Sequence, residues 1–376
     1  MKIPLSIPII NGNEWRYVKD CLDEGLICEG KYLKLFEEKI QEYTGANFAI
    51  ACSSGTAALH LSLIVAGIKE NDEVIVPTVT FIASINAIHY VKAKPIFMDC
   101  DQYYNLDVKK VQSFFEKECF FHEGVLYNKK SQNKIVAILP VHVFGNPVNL
   151  DLILNLAEEY NLKIIEDAAE SLGSMYKGRK TGTFGDFGCF SFNGNKLITS
   201  AGGGMVVTNS KESADKIRYL IDQAKDDSFN FIHKEIGYNY RLSNIHAAIG
   251  LAQLENIEER ILIKRRNFEI YQKYLKGTDL EMLEEPENSR SNYWFYVLKL
   301  GASFKKSEIL EKLKKEGIMA RPMWYLNHLQ IPFVTAQNYN IVKAQELLEN
   351  TINVPCSINL KEEDIKTVCN IIKLKN

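Results

Sequence analysis

The chain carries, at residues 164–170, the stretch Ile164-Ile165-Glu166-Asp167-Ala168-Ala169-Glu170, an apolar run that ends in acidic residues. Its composition predicts a buried strand of a parallel sheet, with Asp167 at the carboxyl end. Further along, Gly188-Cys189-Phe190-Ser191-Phe192 predicts another strand, and Asn193-Gly194-Asn195-Lys196 predicts a tight turn after it. Because open α/β sheets bind ligands at the carboxyl ends of their strands, Asp167 and Lys196 are expected to face one cleft.

This pair, followed by the glycine run Gly202-Gly203-Gly204, indicates a site for pyridoxal 5'-phosphate. The cofactor needs a lysine amine for a Schiff base and a carboxylate beside its ring nitrogen. Burial near a cationic ring lowers the pKa of a lysine, which prepares Lys196 to attack an aldehyde and to move a proton. Either residue alone is a weak signal, since an acid at a strand end often caps the next helix and most lysines are solvated.

Other segments supply what a phosphate and a ring would need. Ser53-Ser54-Gly55-Thr56-Ala57-Ala58 lies between a short apolar strand and a predicted helix, and a helix start binds anions through free N–H groups. The Ser191 hydroxyl is a further phosphate donor. Phe81 follows another strand and is placed to stack on the ring. The alternatives without a bound ligand are a simple helix cap for the first segment and a core phenylalanine for Phe81.

The alternation of strands and helices predicts an α/β fold with a mostly parallel central sheet and helices on both faces. The pattern changes near Asn244, where one long helix is expected to run to Leu275. We therefore predict a large domain at 1–244, then a long connecting helix and a small α+β domain at 245–376. The expected strands include Phe48–Ala51, Val74–Val76, Pro95–Asp99, Ile135–Leu139, Lys163–Ile165, Gly188–Phe192, Met205–Val207 and Tyr293–Leu300. Residues 118–133 are expected to form an irregular surface insertion.

Composition excludes several classes of function. The 376 residues carry a formal net charge of −2, without the basic excess of nucleic-acid-binding proteins. No apolar run is long enough to cross a bilayer, and no secretory leader is recognised. The eight cysteines are scattered without a Cys-x-x-Cys pair, so a metal site is not expected and a reduced, cytoplasmic setting is.

Several motifs, in one order over nearly the whole chain, resemble the DegT–DnrJ–StrS family of sugar aminotransferases. They are Ser54–Leu59, Glu166–Ser171, Gly182–Asp186, Ser191–Lys196, Gly237–Arg241 and Ala320–Trp324. The resemblance implies fold type I, pyridoxal phosphate, a homodimer with shared active sites, and L-glutamate as the amino donor in a ping-pong reaction. Because the family's dehydratases have histidine in place of the lysine, Lys196 favours amino transfer.

The resemblance also implies residue roles. Lys196 would form the Schiff base and Asp167 would contact the ring nitrogen. Gly55, Thr56, Ala57 and Ser191 would surround the phosphate, Phe81 would stack on the ring, Glu170 would lie near the phenolic oxygen, and Asn239 would reach the phosphate of the partner subunit's site. Asn193, Arg241, Tyr325 and His328 fall in segments expected to approach the sugar nucleotide.

For the substrate, Ser191–Lys196, Leu139–Pro147 and the 118–133 insertion resemble enzymes of the legionaminic acid pathway. Those enzymes aminate C4 of a nucleotide-linked 4-keto-6-deoxy-N-acetylhexosamine, here most simply UDP-4-keto-6-deoxy-N-acetylglucosamine. Perosamine- and viosamine-type enzymes acting on GDP- or TDP-linked sugars, bacillosamine-pathway enzymes and C3 sugar aminotransferases remain alternatives. An NAD-dependent nucleotide-sugar enzyme is disfavoured because no Gly-x-Gly-x-x-Gly follows a first strand. A non-catalytic protein that kept the fold is the remaining rival.

Overall fold

The computed structural model describes residues 2–374. Its helices are α1 (Glu14–Asp23), α2 (Lys31–Thr44), α3 (Gly55–Val65), α4 (Ala83–Tyr90), α5 (Val108–Glu118), α6 (Leu150–Tyr160), α7 (Lys211–Ile221), α8 (Asn244–Leu254), α9 (Ile257–Leu275), α10 (Lys306–Lys315), α11 (Lys343–Asn350) and α12 (Glu362–Lys373). Short 3-10 turns cover Val143–Gly145, Asn327–Leu329 and Ile331–Phe333. None of the helices in this part of the chain combines the length and the apolar character needed to span a membrane.

The strands include all seven that the sequence predicts for the large sheet. They are β1 (Phe48–Cys52), β2 (Glu73–Pro77), β3 (Lys94–Met98), β4 (Cys119–His122), β5 (Val125–Asn128), β6 (Lys134–Ile138), β7 (Lys163–Asp167), β8 (Met175–Tyr176), β9 (Arg179–Lys180), β10 (Phe187–Ser191), β11 (Gly204–Thr208), β12 (Lys225–Asp227), β13 (Ile232–His233), β14 (Leu280–Met282), β15 (Ser289–Arg290), β16 (Tyr296–Leu300), β17 (Arg321–Pro322), β18 (Asn338–Tyr339) and β19 (Thr351–Val354).

The large sheet has the strand order β1-β11-β10-β7-β6-β2-β3-β18, and it is parallel from β10 to β18. Only β11 runs antiparallel to its two neighbours on this path. Side chains alternate between two apolar layers: Val74 and Val76 enter one, whereas Ile75 between them enters the other. The sheet is therefore covered on both faces, which explains the continuous apolar strands and confirms the predicted fold class.

A smaller antiparallel sheet, with the order β14-β16-β19-β17, forms after α9. It packs with α9, α10 and α12. Contacts join the two predicted domains: Ile3 forms a bridge with Ile318, and β18 pairs with β3 in the large sheet. The division at 244 stays a prediction.

Two predictions about local structure are wrong. The expected long helix from Asn244 to Leu275 is two helices, because Asn256 leaves helical geometry with φ −111° and ψ 16°. The break lets α8 pack on α1 and α2 while α9 packs on α12 and β14. The expected irregular insertion at 118–133 contains the β4–β5 hairpin, whose turn residues Glu123 and Gly124 have φ values of 49° and 77°. Two positive φ angles give a turn whose twist suits a hairpin.

Candidate active site

A pocket of about 340 Å³ opens where β1, β7 and β10 end. It brings together eight of the residues singled out from the sequence: Gly55, Thr56, Phe81, Asp167, Glu170, Ser191, Asn193 and Lys196. A larger cleft of about 680 Å³ lies between the end of α9 and α11, and none of those residues lines it. The convergence of an amine, two carboxylates and a helix start makes the smaller pocket the candidate site.

Lys196 lies in the loop that leaves β10. Its backbone N–H donates to the carbonyl of Asn193 at 3.0 Å, which closes the turn and directs the side chain back toward the strand ends. The Nζ atom lies 3.8 Å from Oε1 of Glu170 and 4.1 Å from the centroid of the Trp294 ring. Burial lowers the pKa of the Lys196 amine, although the charges of Glu170 and Asp167 oppose this. The neutral, nucleophilic form of the amine is thus reached at a lower pH than for an exposed lysine.

Burial also shifts the pKa of Glu170, in the direction opposite to that of Lys196. Burial raises its pKa to about 7, against the positive charge of Lys196 and a hydrogen bond from the Phe144 N–H. That N–H donates to Oε2 at 2.8 Å. The carboxyl and the amine therefore form a buried pair in which each group favours the charged form of the other, while the surrounding protein favours the neutral forms.

Asp167 is the last residue of β7 and has donors on both carboxylate oxygens. Its Oδ2 accepts from the Ser84 hydroxyl at 2.6 Å, and its Oδ1 accepts from the Ala169 N–H at 3.1 Å. Ser84 in turn lies 3.0 Å from Oγ1 of Thr80. Donors of this kind stabilise the anionic carboxylate, which is the form needed beside a protonated ring nitrogen.

Glu166 lies one residue earlier, and its side chain is turned away from the pocket. Its carboxylate accepts from the backbone N–H groups of Gly182, Phe184 and Gly185 at 2.6–2.8 Å and from Nε2 of His142 at 2.9 Å. These donors outweigh burial and keep the pKa of Glu166 below its ordinary value. The motif at 182–186 thus wraps the strand that carries Asp167 and does not line the pocket.

The start of α3 forms a close-fitting cradle. The N–H groups of Gly55 and Thr56 lie in the first helical turn, where no intrahelical acceptor exists. A Cβ on Gly55 would lie 2.7 Å from Cβ of Ser191, and a Cβ on Gly204 would lie 2.4 Å from the Ser54 carbonyl oxygen. Backbone donors, two hydroxyls and the helix dipole suit a phosphate group without a cationic side chain. The N–H of Ala57 is already used, because it donates to Oγ of Ser54 at 3.0 Å.

Five residues named from the sequence lie outside the pocket of the single chain: Ala57, whose N–H is already used, and Asn239, Arg241, Tyr325 and His328. Arg241 pairs with Glu29 at 2.5 Å and with Asp222 at 3.4 Å. Arg241, Asn239 and Tyr325 are exposed. His328 is buried, and its Nδ1 lies 2.7 Å from the Thr78 hydroxyl. Their predicted roles therefore remain predictions.

The pocket also contains residues that the sequence reasoning did not select: Ser84, Trp294, Phe295, Arg321 and Trp324. Trp294 and Phe295 begin the segment interpreted as a strand, and their rings stack at 3.9 Å. The motif that ends in Trp324 contained a signal, because it forms part of the family resemblance. For Trp294, nothing local distinguishes a pocket residue from a core aromatic.

The chain is similar to known aminotransferases over almost its whole length. A family model described as the DegT/DnrJ/EryC1/StrS aminotransferase family matches residues 8–373. GDP-perosamine synthase of Caulobacter vibrioides is 36% identical over 98% of this chain and 96% of that protein. The putative pyridoxal phosphate-dependent aminotransferase EpsN of Bacillus subtilis is 36% identical over 99% of this chain and 95% of that protein.

A solved structure with the same fold is Helicobacter pylori PseC, an aminotransferase involved in the biosynthesis of pseudoaminic acid. It superposes with a TM-score of 0.89 and 26% sequence identity, and the match covers 98% of each chain.

Proposed function

The chain belongs to the DegT/DnrJ/EryC1/StrS family of pyridoxal phosphate-dependent sugar aminotransferases, and from this premise we propose that it moves the amino group of L-glutamate to C4 of a nucleotide-linked 4-keto-6-deoxy sugar. One observation carries the proposal: Lys196, Asp167 and the start of α3 converge on one pocket. An amine, an anionic carboxylate and a phosphate cradle are three separate requirements of the cofactor.

The donor set fits pyridoxal phosphate. Gly55, Thr56 and Ser191 would hold the phosphate, Asp167 would face the ring nitrogen, and Lys196 would bond to the aldehyde carbon. When bound, the cofactor supplies that aldehyde and a cationic ring that accepts the electron pair left when a C–H bond of the substrate breaks. Phe81 is 55% exposed in the single chain, so its ring is free to cover a bound planar group.

Lys196 is the only amine that lines the pocket among the described residues, and it acts as the acid–base group. Its Nζ would take the proton from Cα of glutamate, the amino nitrogen would remain with the cofactor, water would supply the keto oxygen, and 2-oxoglutarate would leave. In the second half, the retained nitrogen would bond to C4 of the sugar, the carbonyl oxygen would depart as water, and Nζ would deliver a proton to C4. Ser84 and Ala169 donate hydrogen bonds to the two carboxylate oxygens of Asp167 and fix its orientation at the end of β7.

Amination at C4 is common to the two substrates that the chain's similarities favour. Motifs such as Ser191–Lys196 resemble legionaminic acid pathway enzymes, which favours a UDP-linked N-acetylhexosamine. Similarity to GDP-perosamine synthase favours a GDP-linked 4-keto-6-deoxymannose. We therefore include C4 in the proposal and leave the nucleotide as an outcome of the experiment.

A homodimer forms part of the proposal. Three large apolar side chains at and beside the β12–β13 hairpin are strongly exposed in the single chain: Phe229 at 89%, Phe231 at 72% and Ile236 at 84%. Apolar side chains concentrated on one projecting hairpin are typical of a protein–protein contact. Asn239 follows this hairpin, which would bring it to the partner subunit's pocket.

The test uses the full chain loaded with pyridoxal phosphate. L-glutamate alone should bleach the visible absorbance and release 2-oxoglutarate. Incubation with UDP-, GDP- and TDP-linked 4-keto sugars should then give one amino sugar, identified by mass and by the position of the nitrogen in its NMR spectrum. Lys196→Ala should abolish both steps. Lys163→Ala removes an exposed lysine that pairs with Asp186, and it should change neither.

Amination at C3 would correct the regiochemistry. Failure of glutamate to bleach the loaded protein would refute the proposed function and favour a non-catalytic role for the fold.

A further inference from the structure

The indole of Trp294 contacts the amine on which the proposed function depends. We propose that Trp294 is a positioning residue: together with Glu170 it holds the free amine of Lys196 whenever the lysine is not bonded to the cofactor. This inference rests on the proposed function, because only a lysine whose bond to the cofactor breaks and re-forms in each cycle needs a defined position for its free amine.

The amine lies between the indole of Trp294 and the carboxyl of Glu170, a position termed the holding site. Nζ of Lys196 lies 4.1 Å from the centroid of the Trp294 ring and 3.8 Å from Oε1 of Glu170. The lysine side chain is 14% exposed, so water replaces few of these contacts. A lysine stem has four rotatable carbons, and an ammonium over an indole face is attracted by the ring's quadrupole. The indole and the carboxylate together restrict the amine to one region of the pocket.

The indole itself is fixed from several directions. Its Nε1–H donates to the carbonyl of Asn195 at 2.8 Å, which ties the ring to the residue directly before the catalytic lysine. The stacked ring of Phe295 lies 3.9 Å away, and Trp294 is 3% exposed. An indole held in this way cannot swing aside when the amine is released.

The backbone of Trp294 is held by a buried lysine. Lys264, on α9, donates from Nζ to the carbonyl of Trp294 at 2.9 Å and to the carbonyl of Cys356 at 2.7 Å. Among the described residues it forms no ion pair with a carboxylate, and burial lowers its pKa. Burying an amine without a counter-charge costs free energy. The two hydrogen bonds to carbonyl oxygens are what Lys264 contributes, and one of them holds the backbone of Trp294.

Asn292 connects the two sides of the holding site. Its Oδ1 accepts from the Trp294 N–H at 2.8 Å, and its Nδ2 donates to the carbonyl of Glu170 at 2.9 Å. The same Nδ2 donates to the carbonyl of Leu172 at 3.0 Å. Asn292 is fully buried, so one amide sets the spacing between the indole and the carboxyl that flank the amine.

The principal test compares Trp294→Leu with Trp294→Phe in the loaded enzyme. Trp294→Leu should lower the single-turnover rate of both half-reactions about tenfold, the size of a lost cation–π contact in a desolvated site. The KM values for glutamate and for the sugar should change less than about twofold, because neither substrate is contacted through this interaction. Trp294→Phe keeps an aromatic face and should recover most of the rate.

A second readout does not depend on turnover. Cofactor-free protein is mixed with pyridoxal phosphate, and attachment to Lys196 is trapped over time with borohydride. Trp294→Leu should slow the attachment about tenfold. Its affinity for pyridoxamine phosphate, which has no aldehyde to bond the lysine, should stay within about twofold of wild type. Trp15→Leu is the matched control, since Trp15 is 76% exposed on α1 and should change neither measurement.

The outcomes separate the two proposals. A loss of pyridoxamine phosphate affinity that equals the loss of rate would show that Trp294 packs on the cofactor, and would overturn the inference. Wild-type rates in Trp294→Leu would overturn it as well. If wild-type protein neither attaches the cofactor nor bleaches with glutamate, the proposed function fails, and this inference fails with it.

Discussion

The hydroxyl of Ser84 donates a 2.6 Å hydrogen bond to Oδ2 of Asp167. The two residues are 83 positions apart, one in the first turn of α4 and the other at the end of β7. Thr80 approaches Ser84 at 3.0 Å, so a short chain of hydroxyls from the loop after β2 orients the carboxylate that lines the pocket. The site therefore depends on the ends of two strands, β7 and β2, which are separated by β6 in the sheet, and Asp167 is not placed by its own strand alone.

Ser84→Ala should lower the rate of the glutamate half-reaction about tenfold. The variant removes a donor from an anionic carboxylate, and hydrogen bonds to charged groups contribute about 1.5–3 kcal/mol. The Asp167 carboxylate becomes a poorer partner for a protonated ring nitrogen, so cofactor affinity should also fall. Single-turnover bleaching and cofactor titration measure the two effects.

Ser62→Ala is the matched control for Ser84→Ala. Ser62 is another fully buried helical serine, whose hydroxyl donates to the Ala58 carbonyl. Its loss should leave both measurements unchanged. Equal activity in the Ser84 and Ser62 variants would show that the hydroxyl chain does not support Asp167.

Gly55→Ala should abolish cofactor retention while the protein remains folded. The new methyl group would lie 2.7 Å from Cβ of Ser191, so the start of α3 must move away from the end of β10. Those two elements form the proposed phosphate cradle, and a displaced helix start loses aligned N–H donors. Dialysis followed by measurement of bound cofactor is the direct assay.

Gly250→Ala provides a comparison with a clash of the same size elsewhere. Its methyl group would lie 2.7 Å from the ring of Phe36, in the packing of α8 on α2. This variant should unfold at a lower temperature and yet retain cofactor in its folded fraction. Cofactor loss to the same extent in both variants would mean that the cradle at Gly55 is not specific.

The sequence predicts the parts of the site that lie just after strands. Ser54, Asp167 and Ser191 each follow or end an apolar run, and parallel strands bring such positions to one edge of the sheet. Trp294 and Arg321 come from later segments, whose approach to the pocket depends on how the smaller sheet packs. No local pattern encodes that packing. The break at Asn256 is similar, because α8 and α9 separate to pack on different partners.

Glu170 should make the cofactor-free protein less stable as pH rises. Burial raises its folded pKa from 4.5 to about 7, so the folded chain binds more protons than the unfolded chain between these values. The contribution of Glu170 to stability is fully present below pH 4.5 and is lost as pH rises through about 7, by on the order of 3 kcal/mol. Glu170→Gln cannot titrate, so denaturant unfolding of this variant should lack the decline.

Glu166 gives the contrasting control. Its hydrogen-bond donors keep its pKa below 4.5, so its contribution to stability is lost only as pH falls further. The difference in unfolding free energy between wild type and Glu166→Gln should therefore stay constant, within about 1 kcal/mol, from pH 5 to pH 7. A flat profile for wild type against Glu170→Gln would contradict the assignment of the pH dependence to Glu170.

Arg321 should bind an anionic group of a substrate. It lies on β17 at the pocket, is exposed, and forms no ion pair within residues 2–374. The carboxylates of glutamate and the diphosphate of a sugar nucleotide both suit the planar fork of a guanidinium. Arg321→Gln should raise the KM for one of the two substrates about tenfold or more and change kcat less, whereas Arg321→Lys should lie between. Half-reactions measured separately identify which anion is bound, and higher salt should narrow the difference in KM between wild type and Arg321→Gln.

Arg16→Gln is the control: it removes one positive charge from an exposed residue of α1 and should leave both KM values unchanged. If Arg321→Gln also leaves them unchanged, another donor carries the anion and the smaller sheet contributes no charge to substrate binding.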